Sequence, residues 1–276
     1  MRRPRHVRLL RHLAQGAIVL WSGGPILLLL LASLKLSRDI FVWPPELLSS
    51  PTLVNYVPLW QRWPGFFDAL ANSAAVTTGA TLLTVVAATS AGYVYSRYRS
   101  RLLTLSAFFT VFVRMLPPIV ISLPLFPVVN MLGLNDTWTV LIVLYAAFFV
   151  SLGTWIMKTT IDQIPTELDE AARVDGAGML RIMRHIILPL GLQGMVAAAV
   201  FVVVYAWNEF LFAFLFTTKS AKTAPLAVAE MISSVETGDW GVLFAASVAQ
   251  LLPVLVFVIL AQKYLISGLT AGAIKG

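Results

Sequence analysis

Six stretches of this chain, Leu13–Leu34, Ala69–Ser96, Leu102–Asn135, Thr137–Met157, Ile186–Thr218 and Gly241–Gln262, hold no Asp, Glu, Lys or Arg except Arg114 in the third and Glu209 in the fifth. Each reaches the roughly 20 apolar residues that a helix needs to cross a hydrocarbon core. Only 12% of the 276 residues are charged, about half the share in a soluble domain, which is too few to give six such segments an aqueous coat. The chain therefore reads as an all-α integral membrane protein folded as a single domain over residues 1–276. Transmembrane helices are expected at about 13–34, 69–96, 102–131, 137–158, 189–217 and 241–263.

Orientation follows from the basic residues. With the N-terminus in the cytoplasm, the inside segments hold Arg2, Arg3, Arg5, Arg8, Arg11, Arg97, Arg99, Arg101, Lys158, Arg173, Arg181, Arg184, Lys263 and Lys275. The outside segments hold only Lys35, Arg38, Arg62, Lys219 and Lys222. The positive-inside rule places both termini in the cytoplasm and explains the pI near 9.9 as a topology signal rather than a nucleic-acid or acidic-substrate surface. The first apolar stretch is too long for a signal-peptide core, and Leu31-Ala32-Ser33-Leu34 is a poor cleavage site, so it should remain as an anchor.

Several chemistries have no residues to carry them. There is no cysteine, and the three histidines, His6, His12 and His185, fall at the expected cytoplasmic ends outside any His-Glu-x-x-His sequence. No Gly-x-x-x-x-Gly-Lys-Ser/Thr loop exists to cradle nucleotide phosphates. A cofactor or metal site on the chain is not expected.

Within the spans, Ala80, Thr84, Ala88 and Gly92 form a small-residue stripe suited to close helix packing in lipid. Pro117, Pro118, Pro124 and Pro127 remove backbone donors from the third span, which is therefore predicted to be kinked or broken. Irregular backbone at membrane depth needs neighbouring protein or a wet cavity. Pro117 and Pro118 thus mark either a lining of a translocation path or a packed kink. Arg114 and Glu209 must also face protein or a cavity, because a charge at the bilayer centre costs about 2.5–3.5 kcal/mol. They either pair with each other or line the path separately, with Asn208 adding a neutral hydrogen-bonding group. Outside, Trp43, Trp60 and Trp63 among prolines suit an interfacial anchor, and a short helix is expected around Pro225 to Ser234.

The longest inside loop, 162–188, carries the most information. Pro165 and Thr166 are helix-start signals, acidic residues follow in the first turn, and Gly176 is a natural stop. Leu168, Ala171, Ala172 and Asp175 fall at helical three-four spacing, giving a small-residue face bounded by Glu170 and Asp175. Such a face suits docking into a groove on another protein. An amphipathic connector on the lipid headgroups is the alternative. A second helix then runs toward the membrane at Pro189.

The Glu170-Ala171-Ala172 block, Gly176 after three intervening residues, and the Ile-Ile-Leu-Pro stretch ending at Pro189 resemble the cytoplasmic loop motif of binding-protein-dependent ABC importer permeases. The stretches Met115-Leu116-Pro117-Pro118, Tyr205-Ala206-Trp207-Asn208-Glu209-Phe210 and the tail Ser267 to Gly276 resemble those of the maltose-type carbohydrate permeases. The likeness runs from the first span to the tail. Gly178 stands where the family commonly has Ser or Thr, and Gln193 where proline often occurs. The resemblance implies a permease of the bacterial cytoplasmic (inner) membrane for a sugar or polyol. Its implied partners are a second permease in a heterodimer, two ATPase subunits that bind the ATP, and an extracytoplasmic solute-binding protein. It also implies that 162–188 is an ATPase-coupling loop, placed between the fourth and fifth spans, whose residues include Glu167, Glu170, Ala171, Ala172, Asp175, Gly176 and Ala177. An ion-coupled secondary transporter is the alternative, but Glu209 is its only intramembrane acid and no internal repeat supports it.

The orientation is directly testable because the chain has no cysteine. Single cysteines at Ser100 and Thr166 should be shielded from impermeant thiol reagents in intact cells, whereas cysteines at Ser50 and Ser234 should label. Labelling of Ser100 from outside would invert the topology.

Overall fold

The computed structural model describes residues 5–44, 50–232 and 239–271, and among these every regular element is helical. Four helices are long and apolar enough to cross a membrane: α1 (Arg5–Ser33, from Arg11 on), α3 (Pro64–Arg97), α6 (Trp138–Ile161) and α13 (Trp240–Ala271). Two further pairs qualify only jointly: α4 (Arg101–Met115) with α5 (Pro118–Met131), bent by 97°, and the Met179–Leu190 segment with α10 (Leu192–Trp207), bent by 76°. Counting each bent pair as one span gives six. The shorter helices are α2 (Tyr56–Arg62), α7 (Thr166–Val174), α8 (Met179–Ile182), α9 (Leu188–Leu190), α11 (Leu211–Phe216) and α12 (Ala224–Ile232).

The chain divides into two compact units, residues 1–68 with 227–252, and 69–226 with 253–276. In the first, the end of α1 is tied down by Asn55, whose amide donates to the carbonyl oxygens of Ser33 (2.8 Å) and Lys35 (2.6 Å). Gly241 lies so close to the Asn55 side chain that a Cβ there would overlap it. Phe41 meets Trp240 edge-on at 5.1 Å, and Arg62 pairs with Asp239 at 3.4 Å. Trp43 and Trp60 remain exposed, as interfacial anchors would be.

The second unit is built on close helix contacts. Ala80, Thr84 and Ala88 of α3 are fully buried, and Gly153 of α6 faces Ala88 and Thr84. Gly92 approaches α6 so nearly that a Cβ would sit 2.8 Å from the Met157 Cβ and 2.9 Å from the Lys158 backbone nitrogen. The small-residue stripe is thus packing surface, as its spacing suggests, because small side chains let backbones approach where lipid supplies no hydrophobic drive. Two apolar clusters result. One gathers Val76, Leu141, Tyr145, Phe149, Val202 and Phe212; the other gathers Tyr93, Met157, Ile161, Ile164, Ile182 and Ile187 near α7.

Two expected spans are not continuous helices. In the third, Leu116 and Pro117 are extended (ψ 133° and 135°) and Pro118 restarts the helix at its first turn, where a missing N–H is harmless. Pro124 and Pro127 stay inside α5, so only the paired prolines break the chain. The stretch expected as one helix over 189–217 is divided more heavily. A π-helix at Met183–Ile187 leads to the turn at Gly191, where a Cβ would lie 2.6 Å from the Ile187 carbonyl oxygen. α10 therefore starts at Leu192 rather than Pro189. It stops at Trp207, and α11 resumes at Leu211. The external helix expected around Pro225 to Ser234 is α12; Ser234 itself lies outside the described residues.

Gly92→Leu should destabilise the folded chain by about 1–3 kcal/mol through overpacking. Gly16→Leu should be neutral, since nothing lies within 4 Å of its would-be Cβ. Thermal unfolding of the purified protein in detergent distinguishes the two.

Candidate functional site

The loop before α10 folds as its residues dictate. Pro165 takes the extended backbone (φ −55°, ψ 133°) that precedes a helix, and Glu167 and Asp169 occupy the first turn of α7, where the helix dipole favours negative charge. The helix ends in a Schellman turn: Ala177 N–H donates to the Ala172 carbonyl (2.8 Å) and Gly176 N–H to that of Arg173 (3.0 Å). Gly176 has φ +78°, the left-handed conformation that only glycine adopts freely. Gly178 then precedes α8 in an extended conformation without a side-chain cap.

Of the four residues expected on one face of α7, Leu168, Ala171 and Asp175 are exposed and only Ala172 turns partly inward. Asp169 is buried and Ala172 is half-buried against the apolar cluster beneath, so these two define the inner side. Glu167, Glu170, Ala171 and Val174 point outward, with Val174 88% exposed, and Asp175 and Gly176 are exposed at the turn. Ala172 is therefore less exposed than its neighbours, and Val174 is exposed in addition to the expected residues. Ala177 is half-buried at the turn.

Beneath α7 lies a pair that sequence reading missed. Asp169 accepts a hydrogen bond from Arg97 Nε at 2.8 Å, with side-chain exposures of only 4% and 6%. The same guanidinium donates to the carbonyl oxygens of Ile161 (3.2 Å) and Ile164 (2.9 Å). Arg97 looked like a topology signal and Asp169 like a first-turn acid; nothing in their spacing, 72 residues apart, links them. Nearby, Lys158 donates to Asp162 at 2.6 Å. Burial pushes the Asp162 carboxyl up, but bonds from Lys158 and Ser96 prevail and hold it below the usual carboxylate range.

The two intramembrane charges both sit at helix breaks. Arg114 is in the last turn of α4, two residues before the extended Leu116, with its guanidinium carbon 6.0 Å above the Tyr205 ring and Nη1 buried without a hydrogen-bond partner. Glu209 lies between α10 and α11, where its carboxylate accepts the N–H groups of Phe212 (2.9 Å) and Ala213 (3.3 Å). Asn208, exposed, donates to the Val204 carbonyl at 2.8 Å. No salt bridge joins Arg114 to Glu209. The arginine instead meets an aromatic face, and Tyr205 in turn stacks on Phe149 at 5.9 Å.

At the opposite end of α6 from α7, Asp136 (φ 58°) receives the backbone N–H groups of Thr218, Lys219, Ser220 and Ala221 at 2.8–3.2 Å. Partial burial raises its carboxyl, yet these four donors outweigh that and hold it far below the ordinary carboxylate range. Asn72 reinforces the arrangement, donating to the carbonyls of Ser220 and Lys222 and accepting from the Trp138 indole. Among the described residues no cluster of His, Cys, Asp and Glu is arranged to hold a metal.

Residues 80–270 match the family described as binding-protein-dependent transport system inner membrane component. The chain belongs to that family. It is a multi-pass inner-membrane permease, and the family is one of transporter subunits rather than enzymes. It is 37% identical over 244 residues to the trehalose/maltose transport system permease protein MalG of Thermococcus litoralis, covering 86% of this chain and 88% of that one. It is 35% identical to the trehalose transport system permease protein SugB of Mycobacterium tuberculosis, covering 83% and 84%. The inner membrane ABC transporter permease protein YcjP of Escherichia coli is 31% identical, with 91% of each chain covered. In fold, the permease resembles a chain from the crystal structure of a bacterial ABC transporter involved in import of the acidic polysaccharide alginate, with TM-score 0.78, 20% identity and coverage of 96% and 99%.

The geometry of the charges sets an expected outcome. In a double-mutant cycle on transport by the assembled permease, Arg114→Ala and Glu209→Ala should each impair uptake and should combine additively within about 0.5 kcal/mol. Arg114→Ala with Tyr205→Leu should instead show coupling of about 0.5–2 kcal/mol, the range of a partly desolvated cation–π contact. Strong coupling in the first pair would place the two charges in contact.

Proposed function

We propose that this permease is the membrane-spanning subunit of an ATP-driven importer for a sugar or polyol. It crosses the membrane six times with both termini in the cytoplasm, and lines the translocation path together with a second permease. A solute-binding protein delivers substrate from outside, and a cytoplasmic ATPase dimer supplies the work through the loop 162–188. The carbohydrate assignment is supported by relatives named for trehalose and maltose transport. Arg114, Asn208 and the break at Pro117 and Pro118 are the path residues of this reading, and Glu209 shapes the path by capping α11.

The observation that carries the coupling role is the outward face of α7. A nine-residue helix that turns Ala171 and Val174 away from the core, beside Glu167 and Glu170, buries little of its own and presents a small, weakly apolar surface with an acidic rim. Such a face gains from a groove on another protein, since exposed apolar side chains are stabilised by about 25 cal/mol per Å² on burial. With no phosphate-binding loop on this chain, the partner that supplies ATP hydrolysis must be a separate subunit. Ion coupling through Glu209 is disfavoured because both carboxylate oxygens are already engaged by backbone N–H groups.

Glu170→Lys reverses the charge on the docking face, and Gly176→Val forces a β-branched residue into the left-handed turn at φ +78°. Both variants should insert normally and co-assemble with the second permease. Stimulation of ATP hydrolysis by the loaded binding protein should be lost. Stimulation at the wild-type level in both variants would reduce the loop to a connector.

A further inference from the structure

α7 has almost nothing to hold it against the bundle. Of its nine residues only Asp169 is buried, and Ala172 is half-buried. Apolar burial therefore contributes little to where this helix sits, and its attachments are mainly polar: Arg173 reaches Tyr98 Oη at a long 3.4 Å, and Asp169 takes a much shorter bond from Arg97. Arg97, the last residue of α3, distributes its donors over three places: Nε to Asp169 on α7, Nη1 to the carbonyl of Ile161 at the end of α6, and Nη2 to that of Ile164 in the linker before α7. A planar guanidinium holds such a fork in one geometry, which a lysine ammonium does not. The second carboxylate oxygen of Asp169 is buried without a hydrogen-bond partner, so Arg97 is the residue that bonds this carboxylate directly, with Arg173 one turn further along α7 adding a second positive charge.

We propose that Arg97 and Asp169 form the joint that transmits force from the coupling helix to the cytoplasmic ends of α3 and α6. They are positioning residues: neither is placed on the outward face nor in the path. Resting on the coupling role proposed for α7, the joint makes α7, the end of α3 and the end of α6 one rigid body, so that displacement of the outward face by a partner moves both membrane helices together. A buried ion pair is poor at adding stability compared with apolar residues of the same volume, but it is intolerant of misalignment. That property suits a joint better than a simple anchor.

The test uses the complete transporter, with its second permease and ATPase subunits, and ATP with vanadate as the probe. Spin labels on a pair of cysteines introduced into the cysteine-free chain, one at Arg99 two residues past the end of α3 and one at Thr166, the first residue of α7, report the distance between the end of α3 and α7. In the otherwise unaltered chain the distance should be the same with and without ATP. In Asp169→Asn it should broaden and shift on adding ATP, as α7 follows the ATPase without α3. Asp169→Glu, which keeps the charge, should restore much of the constancy, whereas Arg97→Lys, which loses the fork, should not. An ATP-dependent shift in the unaltered chain larger than the width of the distribution overturns the joint, as does an Asp169→Asn variant as constant as wild type. Should Asp169→Asn fail to assemble, the measurement on the unaltered chain decides. Failure of the ATPase subunits to co-purify with the wild-type chain is a separate result, and it removes the coupling reading itself.

Discussion

Backbone polar groups in a hydrocarbon layer have no water to bond to, so every place where a helix stops inside the membrane must be resolved by the protein itself. This permease stops helices at Leu116–Pro117, Gly191 and Asn208–Phe210, and its polar side chains gather where that happens. Glu209 answers the orphan N–H groups at the start of α11, donors that a helix N-terminus always leaves. Asn208 returns a bond to the Val204 carbonyl at the end of α10. Ser122, one turn after the proline break, donates to the Pro118 carbonyl at 2.8 Å. Glu209 and Asn208 thus satisfy backbone groups at the interruption between α10 and α11, whereas Arg114 rests on the Tyr205 ring.

The same principle orders the two ends of the second unit. At one end, four consecutive backbone N–H groups converge on Asp136, while Asn72 takes up neighbouring carbonyls, so an irregular segment is held where it passes the start of α6. At the other end, Arg97 collects two carbonyls from the frayed end of α6 and the carboxylate of α7. Between them, Gly92, Gly153 and Gly194 let α3, α6 and α10 approach closely enough that a Cβ would collide. The second unit thus has close helix contact in the middle and polar fasteners at both ends.

Much of this was legible in the residues. The apolar stretches, the small-residue stripe of α3, the breaking power of Pro117 and Pro118, the start of α7 at Thr166 and its left-handed stop at Gly176 all follow from local rules of burial, sterics and capping, and the coordinates agree with each. The apolar run 189–217 is the exception, since it holds the Gly191 turn and two separate helices, α10 and α11. Hydropathy does not register a backbone bend, and neither the Gly191 turn nor the interruption at Asn208 changes the mean hydropathy of the segment. Pairing with Arg114 is one of the two expectations for Glu209; instead the carboxylate caps α11 and the arginine lies over Tyr205.

By itself the sequence determined that the chain lives in a membrane, where most of its helices lie and where α7 starts and stops, because solvent transfer and backbone sterics act on residues near one another in the chain. Only the tertiary structure decided which face of α7 turns outward and what Arg97 and Asp169 do. Helical spacing puts Ala171 and Ala172 side by side on α7, and the choice between them depends on a carboxylate whose partner stands 72 residues earlier. A buried charge is stable only opposite its counter-charge, and which counter-charge it finds is set by how α3 and α6 pack, a relation that no local pattern in the sequence records.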